Sequence, residues 1–221
     1  MTGTPYQKTI TMQLAASVVN GIAQSQSKGS AGNFTLNGSL VTAGVATLDS
    51  NGNARRVLFT FAGDETGHNF TITGTGWNGL AQTEVVAGTS TTAQSTKDFK
   101  TVSKVSVDAA TTSTVQIGTN GVGSSLPFVC DAIISRADYA CGVTASGTVN
   151  YTIEESYDDL GPAWDINSAS PTWFADSNFT SKTSNTNGVL NGPFTMIRLT
   201  INSGTGSATA RIITPMGTGP F

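Results

Sequence analysis

Regular alternation of apolar and polar residues between Arg55 and Gly88 is the feature that most restricts how this chain can fold. Residues 57–62 and 69–73 change character at every second position, the period that turns one set of side chains to a core and the other to water. The connections are rich in glycine and polar residues, and Asn78-Gly79 is a strong signal for a tight hairpin. The stretch therefore predicts a meander of two or three antiparallel strands.

The same pattern recurs later in the chain. The matched blocks are NFTI at 69–72 with NYTI at 150–153, and KVSVD at 104–108 with RLTIN at 198–202. Each copy then continues through a short polar turn into one more strand-like segment. Such a recurrence indicates a duplicated β-unit, although short threonine-rich strands can also resemble one another by chance.

The predicted fold is all-β, with two tandem antiparallel β-sandwich or jelly-roll-like units and very little helix. An N-terminal arm with the first strands is expected at 1–54, a first β-unit at 55–122 and a second β-unit at 123–221. The boundary is placed within GTNGVGSS, residues 118–125, because these residues are small, polar and turn-forming. The only candidate for a helix is residues 15–22, which also fit a strand.

Local patterns add expectations for the N-terminus and for the two cysteines. Residues 1–7 precede the first alternating segment and are expected to form an extended arm that orders on a partner. Apolar runs at 126–134 and 139–143 predict a hairpin that places Cys130 and Cys141 on neighbouring strands. A disulfide is conceivable there. The absence of a secretory signal pattern favours free thiols in a reducing cytosol.

Composition argues against several classes of partner. Charged residues make up 11% of the chain, whereas they make up about 25% of an ordinary globular protein. The net charge is −3. Ser and Thr together contribute roughly a quarter of the residues, well above their ordinary share. The longest basic cluster is Arg55-Arg56, so a surface that tracks nucleic-acid phosphates is not expected. No apolar run reaches the length of a membrane span. A neutral, hydroxyl-rich surface fits a protein that assembles, and we expect a homo-oligomer.

Chemical motifs are weak throughout, and the prediction is no enzyme, no catalytic residue, no cofactor and no metal. His68 is the only histidine and lies in a turn. The sequence contains no nucleophile-elbow motif that could supply a serine for a catalytic triad with it. Residues 74–79 satisfy the spacing GxGxxG, but a strand pattern follows them where a dinucleotide site needs a helix. The acidic residues at 154–159 match no calcium loop.

The second copy of the repeat contains an insertion, assigned to residues 156–192. From the NFTI or NYTI block to the downstream phenylalanine, the second copy is the longer: residues 150–194 against 69–99. Long loops in compact domains are usually functional or mobile. The predicted partner-binding residues are its aromatic side chains, Trp164, Trp173, Phe174 and Phe179. The alternative is that these aromatics fold back and cap the core of their own unit.

Four phrases carry a resemblance to a known class of protein. They are FTITGTGWNGLAQTEVVAG at 70–88, TSTTAQSTKDFKTVSKVSVD at 89–108, VQIGTNG at 115–121 and IRLTINSGTGSATARIIT at 197–214. They resemble virion structural proteins of tailed bacteriophages, over most of the chain after Arg55. The resemblance is one of phrase rather than of a diagnostic motif.

That resemblance implies a structural role in the virion, for a protein made in the host cytoplasm. The expected function is a capsid decoration or cement protein that contacts the major capsid protein or other virion proteins. The alternative is a tail-fibre or tail accessory module for a host glycan or receptor, in which Trp77, Trp164 and Trp173 would stack on sugar rings. The resemblance leaves head or tail placement open.

Overall fold

Antiparallel β-strands make up all the regular structure of the described residues, which in this computed structural model are 7–130, 138–158 and 171–213. The strands are β1 (Gln7–Gln13), β2 (Ala23–Gln26), β3 (Gly32–Asn33), β4 (Val41–Thr42), β5 (Val45–Thr47), β6 (Ala54–Phe61), β7 (Asn69–Thr75), β8 (Ala81–Ala87), β9 (Thr92–Gln94), β10 (Thr101–Val107), β11 (Val115–Ser124), β12 (Phe128–Val129), β13 (Asp138–Ser146), β14 (Val149–Ser156), β15 (Phe174–Ala175), β16 (Thr186–Asn191), β17 (Met196–Gly204) and β18 (Ser207–Ile213). These residues contain no helix, the candidate at 15–22 included. The all-β fold of the β-sandwich type is therefore confirmed.

The chain divides into two compact units. The first unit is Leu14–Ser124, and the second combines Ser125–Phe221 with the N-terminal Met1–Gln13, of which residues 1–6 lie outside the described part. The division falls within the expected boundary at 118–125, but those residues continue strand β11 up to Ser124 instead of forming a turn. Strand β1 pairs along its whole length with β18. Residues 1–54 therefore do not form one N-terminal group as expected. Strand β1 belongs to the second unit because it pairs with β18, whereas the residues from Leu14 onwards belong to the first unit.

The first unit contains two sheets around one core. One has the order β4-β5-β10-β7-β8 with β3 also beside β10, and the other has the order β9-β6-β11 with β2 also beside β11. The alternation predicted for β6 is confirmed, since Val57, Phe59 and Phe61 are buried on one face of the strand. The Phe59 and Phe70 rings lie 5.1 Å apart between centroids, a spacing at which aromatic pairs attract.

The second unit also contains two sheets. One has the order β1-β18-β13-β16, and the other has the order β15-β14-β17 with β12 also beside β17. Alternate residues of β13 are buried, among them Tyr139, whereas β14 and β17 are buried at most positions, including Tyr151 and Leu199. The rings of Tyr139 and Phe194 lie 5.1 Å apart between centroids.

The two units share one strand-pairing scheme, because β6 to β11 correspond in order to β13 to β18. Strand β7 pairs with β8 and β10, and β14 pairs with β15 and β17. Strand β6 pairs with β9 and β11, and β13 pairs with β16 and β18. Chance similarity between threonine-rich strands would not reproduce every pairing, so this agreement supports the duplication.

The register agrees as well as the order. Ile72 faces Val105 in the first unit, and the matched residues Ile153 and Leu199 face each other in the second. The blocks even end in corresponding side-chain contacts. The Asn69 amide donates to Asp108 Oδ2 at 2.8 Å, and the Asn202 amide donates to Asn150 Oδ1 at 2.7 Å. The repeated sequence blocks are therefore one structural element used twice.

One local prediction is wrong. Strand β12 does not form a hairpin with β13, because β13 is flanked by β16 on one side and by β18 on the other, while β12 pairs with β17. Residues 131–137, between the two predicted strands, lie outside the described part. Cys130 and Cys141 are free and buried, as favoured. Burial raises the pKa of each thiol to about 12, so both act as small apolar core residues.

Candidate functional site

The structure separates the four aromatic residues that the sequence proposed as partner-binding. Trp173 and Phe174 lie at the start of the short strand β15, whereas Phe179 is fully buried. Trp164 lies outside the described residues. Part of the assigned insertion is also regular structure, because β15 and β16 correspond to β8 and β9 of the first unit. The extra length lies between β14 and β15, at residues 157–173.

Trp173 is held by a cation from the neighbouring part of the sheet. The guanidinium carbon of Arg198 lies 4.3 Å from the centroid of the Trp173 ring, within the range of a cation–π contact. Arg198 Nε donates to Glu154 Oε2 at 2.6 Å, and the Thr200 hydroxyl donates to the same oxygen at 2.7 Å. Strands β14 and β17 place Glu154 opposite Arg198. The indole is thus oriented by an ion pair rather than by core packing.

Phe174 and Tyr157 form an exposed pair beside this tryptophan. Each has 52% of its surface exposed, and their rings meet edge to face with centroids 5.9 Å apart. The Tyr157 hydroxyl donates to Glu155 Oε1 at 3.0 Å, and Glu155 faces Phe174 in the β14–β15 pairing. Hydrogen bonding and strand pairing therefore hold two large rings in water. We call Tyr157, Trp173 and Phe174 the aromatic patch.

Glu155 is the electrostatically unusual group beneath the aromatic patch. Its side chain is buried, and its Oε2 atom has no hydrogen-bond partner among the described residues. Burial raises the pKa of Glu155 above its ordinary value and the charge of Asp176 raises it further, while the hydrogen bond from Tyr157 opposes them. A buried carboxylate with an unpaired oxygen is costly in its charged form. The aromatic patch therefore lies over a carboxylate whose charged form is energetically unfavourable.

Glu155→Gln is expected to raise the melting temperature at neutral pH by a few degrees, since it removes a poorly solvated charge and keeps an oxygen for Tyr157. A raised folded-state pKa means that this group favours folding below its unfolded pKa and loses that contribution as pH rises through the folded pKa. The gain over the wild type should therefore shrink as pH falls from 7 towards 4. Thermal melts of both proteins between pH 7 and pH 4 measure this gain. A gain in melting temperature that stays constant with pH, or a loss, would show that Glu155 is not an unfavourable buried charge.

Phe179 takes a core position because of the turn that precedes it. The Asp176 carboxylate accepts the backbone N–H of Asn178 at 2.8 Å and of Phe179 at 3.2 Å, an Asx-type turn that the sequence Asp-Ser-Asn-Phe could have signalled. Opposite, a Cβ added to Gly188 would lie 3.4 Å from the Phe179 ring. The aromatic residues of the insertion are thus divided between a core residue and an exposed patch.

The one histidine belongs to a structural clamp rather than to a catalytic triad. Glu65 is fully buried, and its carboxylate accepts His68 Nδ1 at 2.7 Å and the Ser113 hydroxyl at 2.8 Å. Backbone and side-chain groups of Thr112 donate to the same carboxylate. A triad needs the serine hydroxyl to bond to the histidine, whereas here both bond to Glu65. The cluster ties the β6–β7 connection to the segment before β11.

The other chemical motifs have ordinary structural roles. Residues 74–79 form the hairpin between β7 and β8, with Gly79 at a φ of 79°, so no helix follows them to bind a phosphate. Among the described residues, no group of three or more His, Cys, Asp or Glu side chains could hold a metal ion. Likewise, no helix within them is long and apolar enough to cross a membrane.

Comparison with known proteins does not identify a function for the site. No protein-family model, no curated protein and no solved structure matches this chain. Tyr157 and Arg198 belong to the site although the sequence did not propose them as site residues, and Glu155 was considered only among the acidic residues at 154–159, as a weak candidate for a metal ligand. Their advance signal was their position in the repeat, since Arg198 opens the block RLTIN and Glu155 lies near the end of the strand that leads into the insertion.

Proposed function

We propose that this protein is a structural component of a bacteriophage virion, a decoration or cement protein that stabilises or ornaments the capsid through its aromatic patch. The observation that carries the proposal is the pre-ordered exposure of Phe174 and Tyr157 beside a tryptophan held by an ion pair. Aromatic anchors fixed before binding lose little conformational entropy on docking, and such residues dominate interface energies.

The rest of the molecule supports a role in assembly. Charge is low, and the polar surface relies on hydroxyl and amide groups. The amide of Asn202, on β17, donates to Asn150 and Thr152 of the neighbouring strand β14. A surface with so few basic residues is poorly suited to tracking phosphates. The proposed partners are the major capsid protein or other virion proteins and further copies of this chain, within the virion.

The resemblance of four sequence phrases to tailed-phage virion proteins supports the same proposal. Three of these phrases contain blocks of the strands β7, β10 and β17, which are paired in equivalent registers in the two units. A duplicated β-protein with an exposed aromatic patch in its described part has the features expected of a shell-binding module. No reaction is proposed, since the polar clusters described above are occupied by hydrogen bonds within the fold.

Particles assembled by a phage that lacks this chain provide the test. Purified protein should co-sediment with them, and Phe174→Ala or Trp173→Ala should weaken the association roughly thirtyfold, the effect of losing an anchor worth about 2 kcal/mol. Val85→Ala removes an exposed apolar side chain of the first unit and serves as the matched control. Unchanged binding of both aromatic variants, or equal weakening by the control, would contradict the proposal. Binding to tails and to a host glycan would instead favour the alternative, a tail-fibre or tail accessory module.

A further inference from the structure

The Tyr157 ring of the aromatic patch lies in a negative electrostatic field. Burial raises the pKa of Tyr157, and its hydrogen bond to Glu155 and the charges of Glu155 and Asp176 raise it further. A hydroxyl that donates to a carboxylate gains negative charge on its oxygen, because hydrogen-bonded groups polarise one another. The exposed face of the Tyr157 ring is therefore more electron-rich than that of an isolated phenol, and it attracts a cation more strongly.

The carboxylates around the patch are only partly compensated by the chain itself. Glu154 forms an ion pair with Arg198, whereas Glu155, Asp158 and Asp176 have no ion-pair partner among the described residues. Only 9% of Glu155 is exposed, and its Oε2 atom accepts no hydrogen bond from the described part of the chain. Salt screens a charge at such a position weakly, so the Glu155 carboxylate attracts a cation placed on the surface above it.

The neighbouring tryptophan already holds a cation of the chain. The guanidinium carbon of Arg198 lies 4.3 Å from the centroid of the Trp173 ring. The rings of Tyr157 and Phe174 are inclined at 63° to each other, and each residue is 52% exposed, so part of their faces is open to solvent. Ring faces carry the negative part of the aromatic quadrupole. Tyr157 and Phe174 can therefore receive a cation from outside in the way that Trp173 receives Arg198 from within.

The first unit shows that folding does not require this arrangement. At the positions that match the two exposed rings and the buried carboxylate, it has neither an aromatic ring nor an acid. The matching residues are Gly74 for Glu155, Gly76 for Tyr157 and Gln82 for Phe174. The same strand pairing therefore forms without a buried charge or exposed rings. Features that destabilise a fold and are not needed for it are typical of functional sites.

We propose that the aromatic patch binds a lysine or arginine side chain of the partner protein, held over the exposed faces of Tyr157 and Phe174 and attracted by the buried carboxylate of Glu155. The inference rests on the proposed role of the patch as an attachment surface, and it names the chemistry of the partner. Glu155 acts through space and through the Tyr157 hydroxyl, because its own oxygens are buried. Such a surface prefers a basic partner to a neutral apolar one.

Two amino-acid amides test this preference on the isolated protein. The probes are N-acetyl-lysine methylamide and N-acetyl-norleucine methylamide, which has the same side-chain carbons without the ammonium group. Each is titrated at constant ionic strength to about 50 mM into ¹⁵N-labelled protein, a range suited to weak binding. The lysine probe should shift the amide signals of Phe174 and Ala175 with an affinity at least about threefold higher than the norleucine probe. A patch that binds only by apolar contact would prefer norleucine.

Variants separate the ring faces and the buried charge from the fold. Glu155→Gln should bring the two affinities close to each other while raising the melting temperature, whereas a purely structural role of Glu155 would leave the preference unchanged. Phe174→Leu keeps an apolar side chain but removes the ring, and it should also reduce the preference. Asp64→Asn removes a carboxylate from an exposed position of the first unit and should leave the preference as in the wild type.

Choline, the cation of a lipid headgroup, is the third probe, and shifts with choline alone would overturn the assignment to a partner protein. Equal affinities for the lysine and norleucine probes in the wild type, an unchanged preference in Glu155→Gln, or an equal loss in Asp64→Asn would also overturn it. These titrations use no phage particles, so they are separate from the co-sedimentation test. Particle binding without a lysine preference contradicts the partner chemistry alone, and a lysine preference without particle binding supports the cation site and contradicts the virion role.

Discussion

Glu65→Gln is expected to lower the melting temperature by about 10 °C at neutral pH, one of the two largest effects that the structure predicts. The Glu65 carboxylate is fully buried and accepts five hydrogen bonds, two each from Thr112 and Ser113 and one from His68. An amide would turn a donor towards groups that are themselves donors, at a cost of about 3 kcal/mol, and each kcal/mol corresponds to roughly 2–4 °C in a protein of this size.

The pH dependence of this effect follows from the direction of the shift. Burial opposes the charge on Glu65, but the hydrogen bonds from His68, Ser113 and Thr112 outweigh it and hold the pKa below its ordinary value. A lowered folded-state pKa contributes stability that is present above the unfolded pKa, and that stability is lost as pH falls through the folded value. The deficit of Glu65→Gln should therefore be largest near pH 7 and shrink below pH about 4.5.

The neighbouring Asp64 is the control for Glu65. Its carboxylate accepts the backbone N–H of Thr66 at 2.9 Å from an exposed position, and asparagine preserves that turn. Thermal melts should show Asp64→Asn within about 2 °C of the wild type, as is usual for surface substitutions. A loss below about 3 °C for Glu65→Gln would show that the buried clamp contributes little to folding.

Phe179→Ala is expected to lower the melting temperature by about 10 °C or more, whereas Phe174→Ala should change it by about 2 °C or less. The first variant leaves a cavity beneath Gly188 and costs about 3–5 kcal/mol, because Phe179 is fully buried. The second removes a ring that is 52% exposed, so little buried contact is lost. Paired thermal melts measure both changes.

This pair of variants distinguishes a core residue from a surface residue within one short segment. Both residues are phenylalanines of the aromatic segment that the sequence proposed as a binding loop. Equal losses from the two would mean that the aromatic patch is part of the core, and the proposed attachment surface would then be incorrect. A small loss from Phe179→Ala would contradict its buried position.

The strands of the repeat were predictable because the information is local and occurs twice, but the predicted meander is correct only for β7 and β8, since β6 pairs with β9 and β11 instead of with β7. Blocks with period-two alternation must place their apolar residues on one face, and the same pair of blocks in each copy gives the same partner. The structure realises this with Ile72 opposite Val105 and Ile153 opposite Leu199. The glycine-rich hairpin at 74–79 was predictable for a similar reason, since its turn residues dictate its conformation.

Long-range choices were not accessible from the sequence. Nothing in the residues of β1 shows that its partner is β18, close to two hundred positions away, and nothing in β13 shows that its neighbours are β16 and β18. The apolar runs on either side of residue 135 fit a hairpin equally well. Alternation predicts that a strand forms and which face is buried, but the neighbour depends on the whole chain.

Sequence reasoning also missed the buried polar groups, one of which, Glu155, lies beneath the aromatic patch. Glu65, Arg55 and Glu155 are each buried, against the usual exposure of charged residues. Their partners come from distant segments, as when Arg55 Nη1 donates to the carbonyl oxygen of Ala15 at 2.8 Å.

Electron cryo-microscopy of purified phage particles is the most direct test of the central claim that this protein is attached to a capsid through its aromatic patch. The account predicts density for the two β-units on the outside of the head, in numbers comparable with the major shell protein, and with β15 turned towards the shell. Density confined to the tail, or a β15 edge that faces away from every neighbouring protein, would contradict it.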